Sequence, residues 1–110
     1  MPKLVYFPVQ GRGQSVRYAL AYTGMAFEDS KVTFDEWKVI KASGAYPEGT
    51  GLPVFHKDDG TVLNQEQAIL NYICFQGGLA PQTPEAMYEM FWYWETLADH
   101  KTTGTMPAIF

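Results

Sequence analysis

Two spacings of apolar residues alternate along this chain. Leu4-Val5-Tyr6-Phe7 is an unbroken apolar run, ended by Pro8 and Gly11, and reads as a buried strand over Lys3 to Phe7. From Gly13 the spacing changes: Val16, Ala19 and Leu20 recur at intervals of three and four, one face of a helix that reaches about Thr23. Gly24 follows at a natural helix-ending position. Phe27 to Thr33 alternates loosely and includes Val32, which predicts a second strand. Asp35 to Ser43, carrying Trp37, Ile40 and Lys41, reads as a short helix. Gly44 to Gly51 holds three glycines and Pro47 and is an irregular loop. Pro53 to Lys57 and Thr61 to Leu63 flank Asp58-Asp59-Gly60, a hairpin signal because Asp-Gly suits a turn of positive φ. Asn64 then reads as a helix N-cap, with Gln67 three residues on in a variant of the capping box. The helix behind it is expected to bury Ala68, Ile69, Tyr72 and Ile73 and to stop at Gly77 and Gly78.

The predicted order is strand, helix, strand, helix, hairpin, helix. Such a chain forms an α/β domain with a four-stranded mixed sheet and helices on both faces, the thioredoxin-like architecture. Beyond it, Leu79 to Thr83 includes Pro81 and reads as a linker. Thr83-Pro84-Glu85 then supplies a cap, a proline at the first helical position and an acid in the first turn. The helix from Pro84 to about Lys101 carries one apolar stripe of Met87, Met90, Phe91, Trp94, Leu97 and Ala98, and a second patch at Tyr88 and Trp92. A helix apolar on more than one side is usually covered by more than one neighbour. The expected division is therefore residues 1–78 as the thioredoxin-like domain, 79–83 as linker, and 84–110 as the first helix of an all-helical second domain.

Composition narrows the function classes. With 110 residues the chain suits one modest core, and 46% hydrophobic against 18% charged residues is the balance of a folded globular protein. A net charge of −4 leaves no basic stripe for nucleic acid. No apolar run approaches the roughly 20 residues of a membrane span. The first strand begins almost at once, leaving no room for a signal peptide. A single cysteine, Cys74, forms no internal disulfide and suits a reducing compartment; the expectation is cytoplasmic, with a mitochondrial address open. Cys74 lies within a predicted helix and the loop after the first strand has no cysteine, which excludes thiol redox chemistry of the Cys-x-x-Cys kind. His56 and His100 are isolated and give no metal set.

The chemistry gathers on the opening stretch. A tyrosine ends the first strand, Arg12 stands beyond the bend, and the start of the first helix offers backbone amides and a favourable field for negative charge. The run Tyr6-Phe7-Pro8-Val9 followed by Gly11-Arg12 resembles the first strand and loop of cytosolic glutathione transferases of the alpha, mu, pi and sigma group, closest to pi and sigma. Gly51-Leu52-Pro53-Val54 and Asn64-Gln65-Glu66 follow as second and third motifs in the same order. The resemblance covers roughly residues 3 to 100.

It implies that Tyr6 donates its hydroxyl hydrogen bond to the sulfur of glutathione. Arg12 would lie by the thiol and the γ-glutamyl group, and Trp37 and Lys41, four apart on one helix face, would hold the glycyl carboxylate. It further implies a cis Leu52-Pro53 bond, with the Leu52 backbone pairing the cysteinyl backbone of the tripeptide. Gln65 and the residue after it would bind the γ-glutamyl carboxylate at a helix start. The third motif departs from the family, which carries serine where this chain has Glu66. A carboxylate there satisfies the helix dipole itself and repels the ligand carboxylate, so either Glu66 turns to solvent or binding is weakened. Tyr46 falls loosely where related classes place an aromatic that inserts into a neighbouring subunit. The acidic group that some classes lend across the dimer has two candidates, Glu95 and Asp99.

Two functions follow. One is a glutathione transferase, activating the glutathione thiol for attack on a hydrophobic electrophile, without metal, as a homodimer. The other is a non-catalytic structural or interaction subunit that uses a transferase N-terminal domain within a larger assembly. The second is favoured by Glu66, by the aromatic surface of the last helix, and by a chain that stops after about one helix of the domain that supplies most of the electrophile pocket in the family.

Overall fold

The computed structural model describes the backbone of residues 1–103 and the side chains of residues 1–96. Eight elements follow in order: β1 (Lys3–Tyr6), α1 (Gly13–Tyr22), β2 (Glu28–Lys31), α2 (Phe34–Ala42), β3 (Val54–His56), β4 (Val62–Asn64), α3 (Glu66–Gln76) and α4 (Pro84–Thr103). The sheet order is β2-β1-β3-β4, with β1 parallel to β2 and antiparallel to β3, and β3 antiparallel to β4. This is the mixed sheet that the period changes predict.

Alternation along β1 and β3 builds the two faces. Leu4 lies opposite Phe55 and Val5 opposite Val54. Leu4 and Phe55 join Val16, Ala19 and Leu20 of α1 and Ile69 and Ile73 of α3 in one core. Val5 and Val54 point the other way and pack with Val32 and Trp37 beneath α2. A one-residue slip of either strand would exchange the two cores, so the pattern pins the register.

The local signals worked where nothing competed with them. Thr33 caps α2, accepting from the Glu36 amide at 3.1 Å while the Glu36 carboxylate accepts from the Thr33 amide at 2.9 Å. These bonds hold the Glu36 carboxyl below its ordinary pKa. Gly60 takes φ +90° in the hairpin turn, which Lys57 and Thr61 close with a 2.8 Å backbone bond.

The expected start of α3 is corrected. Asn64 is the last residue of β4, paired with Val54, and no capping box forms with Gln67. Sheet pairing claims Asn64, so the turn into the helix falls on Gln65 alone, at φ 74° and ψ 116° with no side-chain cap. The helix phase is set by Ile69 and Ile73, which leaves Ala68 exposed rather than buried and Tyr72 half-buried. β2 is shorter than its apolar flanks suggested, because Glu28–Lys31 is a polar edge strand.

Candidate functional site

Topology brings the three motifs to one end of the sheet. β1 finishes there at Tyr6, β3 starts there just after Leu52 and Pro53, and β4, which runs parallel to β1, finishes there at Asn64. The starts of α1 and α3 follow from those strand ends. The sequence motifs are far apart in the chain and adjacent in space because the hairpin returns the chain to this edge.

Tyr6 faces the α1–α3 side, the side of Leu4, and is only 3% exposed. Its ring lies against the Cα of Gly13, with Phe7 tilted beside it at 5.5 Å and the Arg17 guanidinium 5.6 Å from its centroid. Burial of the ring leaves the hydroxyl engaged at the loop rather than lost in the core. The phenol oxygen accepts a 2.9 Å hydrogen bond from the Arg12 amide, and no acceptor for its own proton occurs among the described residues. An amide donating into the oxygen polarises the O–H and makes it a better donor. The Arg12 side chain is exposed.

A polar chain continues from there. The Ser15 hydroxyl is 3.3 Å from the Arg12 carbonyl and 3.1 Å from the Glu66 carboxylate. Its one proton serves one acceptor at a time, and the carboxylate is the nearer and stronger. Glu66 is thus half-buried and turned toward α1, where the Ser15 hydroxyl donates to it. Gln65 stands beside it in a backbone conformation uncommon for a residue with a side chain, the kind of strain that concentrates at functional sites. Leu52-Pro53 is cis, as expected from the motif.

The remaining candidates lie on the α2 side. Trp37 is 7% exposed and packs on Val5, Val32 and Val54, with Leu52 and Tyr46 against the same cluster. Lys41, one turn on, is exposed and lines a depression of about 370 Å³ with Tyr46, Pro47 and Thr50. Among the described residues no hydrogen bond or ion pair ties Lys41 to the Tyr6 group. A depression of about 640 Å³, lined by Pro2, Met25, Lys57 and Tyr72 among others, lies at the opposite end of the sheet and contains none of the candidates.

Tyr46 is half-buried against its own chain. Its ring is 5.8 Å from Trp37, and its hydroxyl is 2.7 Å from His56 Nε2. Burial, with the Lys3 charge adding to it, pulls the His56 pKa below its ordinary value, while burial pushes the Tyr46 phenol up. The Tyr46 hydroxyl and His56 Nε2 share this hydrogen bond, its direction set by the imidazole tautomer, and the pair braces the loop that carries Leu52. A histidine whose folded pKa lies below its unfolded value contributes stability that is complete above the unfolded pKa. That contribution is lost as pH falls through the folded value. The urea midpoint is expected to fall on acidification below about pH 6.5. In His56→Gln, which keeps an acceptor and does not titrate, this part of the fall should be missing.

Sequence reading missed two residues that organise the site. Arg17 donates to the Val9 carbonyl at 2.8 Å and the Phe7 carbonyl at 3.2 Å and pairs with Asp29 at 3.1 Å, so it clamps the loop after β1. Ser15 bridges α1 to α3. Their only sequence signal was a polar residue on the side of α1 nearest its start. Cys74 is half-buried beside the α1–α3 core, where burial pushes its thiol pKa up. Among the described residues no group of three or more His, Cys, Asp and Glu gathers as a metal site, and no helix is long and apolar enough to cross a membrane. Leu97, Ala98, Asp99 and His100 lie outside the described side chains; Glu95 is exposed on α4.

Fold and site together define a thioredoxin-like domain that presents a tyrosine hydroxyl, a cis-proline edge and a helix start at one end of its sheet. Comparison with known proteins carries this to a family. The chain is 39% identical over 77 residues to "Probable glutathione S-transferase 7" of Caenorhabditis elegans, covering 70% of this chain and 35% of that protein. It is 37% identical over 82 residues to "Hematopoietic prostaglandin D synthase" of Gallus gallus, covering 74% of this chain and 39% of that one. A solved Nu-class GST from Haemonchus contortus superposes with a TM-score of 0.80 at 30% identity, over 92% of this chain and 48% of the other. A scan against protein-family models finds no match. The chain belongs to the cytosolic glutathione transferase family and spans 35% and 39% of the length of these two curated relatives. None of these names supports the reading as a non-catalytic structural subunit.

Proposed function

We propose that this chain binds glutathione across the Tyr6 end of its sheet and activates the thiol for conjugation to hydrophobic electrophiles. The observation that carries the reading is the Tyr6 hydroxyl, fixed by the Arg12 amide at 2.9 Å with its own proton uncommitted among the described residues, at the same sheet end as Leu52-Pro53 and Gln65. A free thiol has a pKa of about 8.5 and is a few per cent thiolate at neutral pH. A hydrogen bond donated to the sulfur favours the anion, and the exposed Arg12 guanidinium adds positive field. The proton leaves to solvent, the sulfur lone pair forms the S–C bond, and the electrophile's leaving group or π electrons take up the charge.

The other placements belong to the same proposal. Trp37 and Lys41 hold the glycyl carboxylate, Leu52 pairs the cysteinyl backbone, and Gln65 and Glu66 meet the γ-glutamyl end. Residues 1–78 are the glutathione domain, 79–83 the linker, and 84–110 the beginning of a helical domain. The exposed Met87, Tyr88 and Trp92 of α4 support that division, since they offer apolar surface for further helices. A homodimer joined through the Tyr46 loop and a cytoplasmic location rest on the family alone. The test is calorimetric titration of reduced glutathione into the purified chain. Saturable 1:1 binding is expected, lost when an S-alkyl glutathione already fills the site. Silence across the range of cellular glutathione concentrations would overturn the reading.

A further inference from the structure

Tyr46 links the sheet to the two residues proposed for the glycyl carboxylate. Its hydroxyl is 2.7 Å from His56 Nε2, and its ring meets the imidazole edge-on with centroids 5.7 Å apart. The same ring tilts against Trp37 at 5.8 Å, and Tyr46 and Lys41 line one depression. Trp37 is 7% exposed, yet its indole N–H has no hydrogen-bond partner among the described residues. No buried side-chain polar atom is left unsatisfied among them, so this N–H opens to the surface. A packed indole with an uncommitted donor at the surface is placed to meet an acceptor from outside.

The loop that carries Tyr46 has little else to hold it. Residues 43–52 close mainly on themselves: Thr50 donates to the Pro47 carbonyl from its amide at 3.1 Å and its hydroxyl at 2.7 Å, and the Ala45 amide donates to Ser43 Oγ at 3.2 Å. Among the described residues, the bond to His56 is the one hydrogen bond that joins this loop to the sheet. His56 is fixed independently, paired on β3 with Lys3 of β1 and Val62 of β4. The sheet is therefore the anchor and the loop is what it holds.

We propose that His56 is a positioning residue for the glycyl end of the bound tripeptide, acting through Tyr46 on Trp37 and Lys41. This rests on the glutathione-site reading above and adds to it a residue that the ligand does not touch. The bond to His56 fixes the tilt of the Tyr46 ring, and the ring in turn fixes the indole plane and one wall of the depression beside Lys41. Binding groups locked by their neighbours do not have to be ordered when the ligand arrives. The effect is confined to one end of the ligand, since the γ-glutamyl end is assigned to Gln65 and Glu66 at the start of α3.

The experiment titrates two peptides calorimetrically into the purified chain: S-methylglutathione, and S-methyl-γ-glutamylcysteine, which lacks the glycine. In the wild type, loss of the glycine should weaken binding roughly tenfold or more, as for loss of a charge-assisted hydrogen bond. His56→Ala, and Tyr46→Phe, which keeps the ring against Trp37, should each weaken the longer peptide roughly three- to tenfold. Both should leave the shorter one within about twofold of wild type, and combining them should cost no more than either alone. His56→Gln, whose amide can take up the hydroxyl's bond, should restore the wild-type ratio of the two affinities. A merely structural role would lower both affinities together and would not distinguish the peptides. The inference is overturned by a wild-type ratio in His56→Ala or Tyr46→Phe, by His56→Gln binding like His56→Ala, or by a wild-type chain indifferent to the glycine. Each of those results leaves glutathione binding itself standing. Absence of binding by both peptides to the wild-type chain overturns the site and the inference together.

Discussion

If Tyr6 serves glutathione as proposed, Tyr6→Phe should lower the thiolate fraction of the bound tripeptide roughly 10- to 100-fold, the equivalent of one hydrogen bond to a charged group, and leave the chain folded. The two parts of the side chain have separable work. The ring packs: it is 3% exposed and lies against Gly13, Phe7 and the Arg17 guanidinium. Phenylalanine keeps all of that. The hydroxyl touches only the Arg12 amide among the described residues, so its loss removes the proposed donor for sulfur and one acceptor for a loop N–H. The lost bond is partly buried, so a cost of about 0.5–1.5 kcal/mol in stability is expected, too little to unfold the chain. The measurement is the ultraviolet absorbance of thiolate in the complex across pH, beside urea unfolding of the free chain. An unchanged thiolate titration in Tyr6→Phe would remove Tyr6 from the chemistry. A lost unfolding transition would mean that the hydroxyl holds the fold instead.

The separation also explains what was legible in the sequence. The strand, bend and helix of the opening stretch were readable because period and punctuation agree there: four apolar residues, Pro8, Gly11, then Val16, Ala19 and Leu20 at helical spacing. The hairpin was readable because its signal is local, an Asp-Gly pair between two short strands. The start of α3 was misread because a local signal lost to a distant one. Asn64 has the chemistry of a cap, yet pairing with Val54 holds it in the sheet. The turn then falls on Gln65 at φ 74°, which no propensity favours.

Glu66 shows the same limit from the side of function. Its identity, and its departure from the family, were visible at once; its direction was not. Whether it faces water or α1 depends on Ser15, 51 positions earlier in the chain. Arg17 is a comparable case: apart from Gln14, one turn back on α1, its partners are the carbonyls of Phe7 and Val9 and the carboxylate of Asp29, at no helix spacing. Contacts made across a tertiary fold leave no period in the sequence, and these two residues had none to offer.

Gly13→Ala is expected to destabilise the chain by about 1–3 kcal/mol and to disturb the proposed thiol site at the same stroke. Gly13 is buried at the first position of α1, with no positive φ to favour glycine there. What requires glycine is space: a methyl carbon built on it overlaps Tyr6 Cδ2 and stands 2.5 Å from Tyr6 Cγ. Those atoms are at the root of a buried ring, so relief must move the β1–α1 packing, and with it the 2.9 Å bond between the Arg12 amide and the phenol oxygen. Gly51→Ala is the matched control, since nothing lies within 4 Å of its added carbon and its φ is not positive. It should leave the urea midpoint unchanged. The deciding measurement is a double-mutant cycle. If contact with the ring is the cause, Gly13→Ala costs much less in a Tyr6→Ala background than in the wild type. An equal cost in both would show that α1 needs glycine for its own sake, and the close approach of helix to ring would not be what sets the hydroxyl in place.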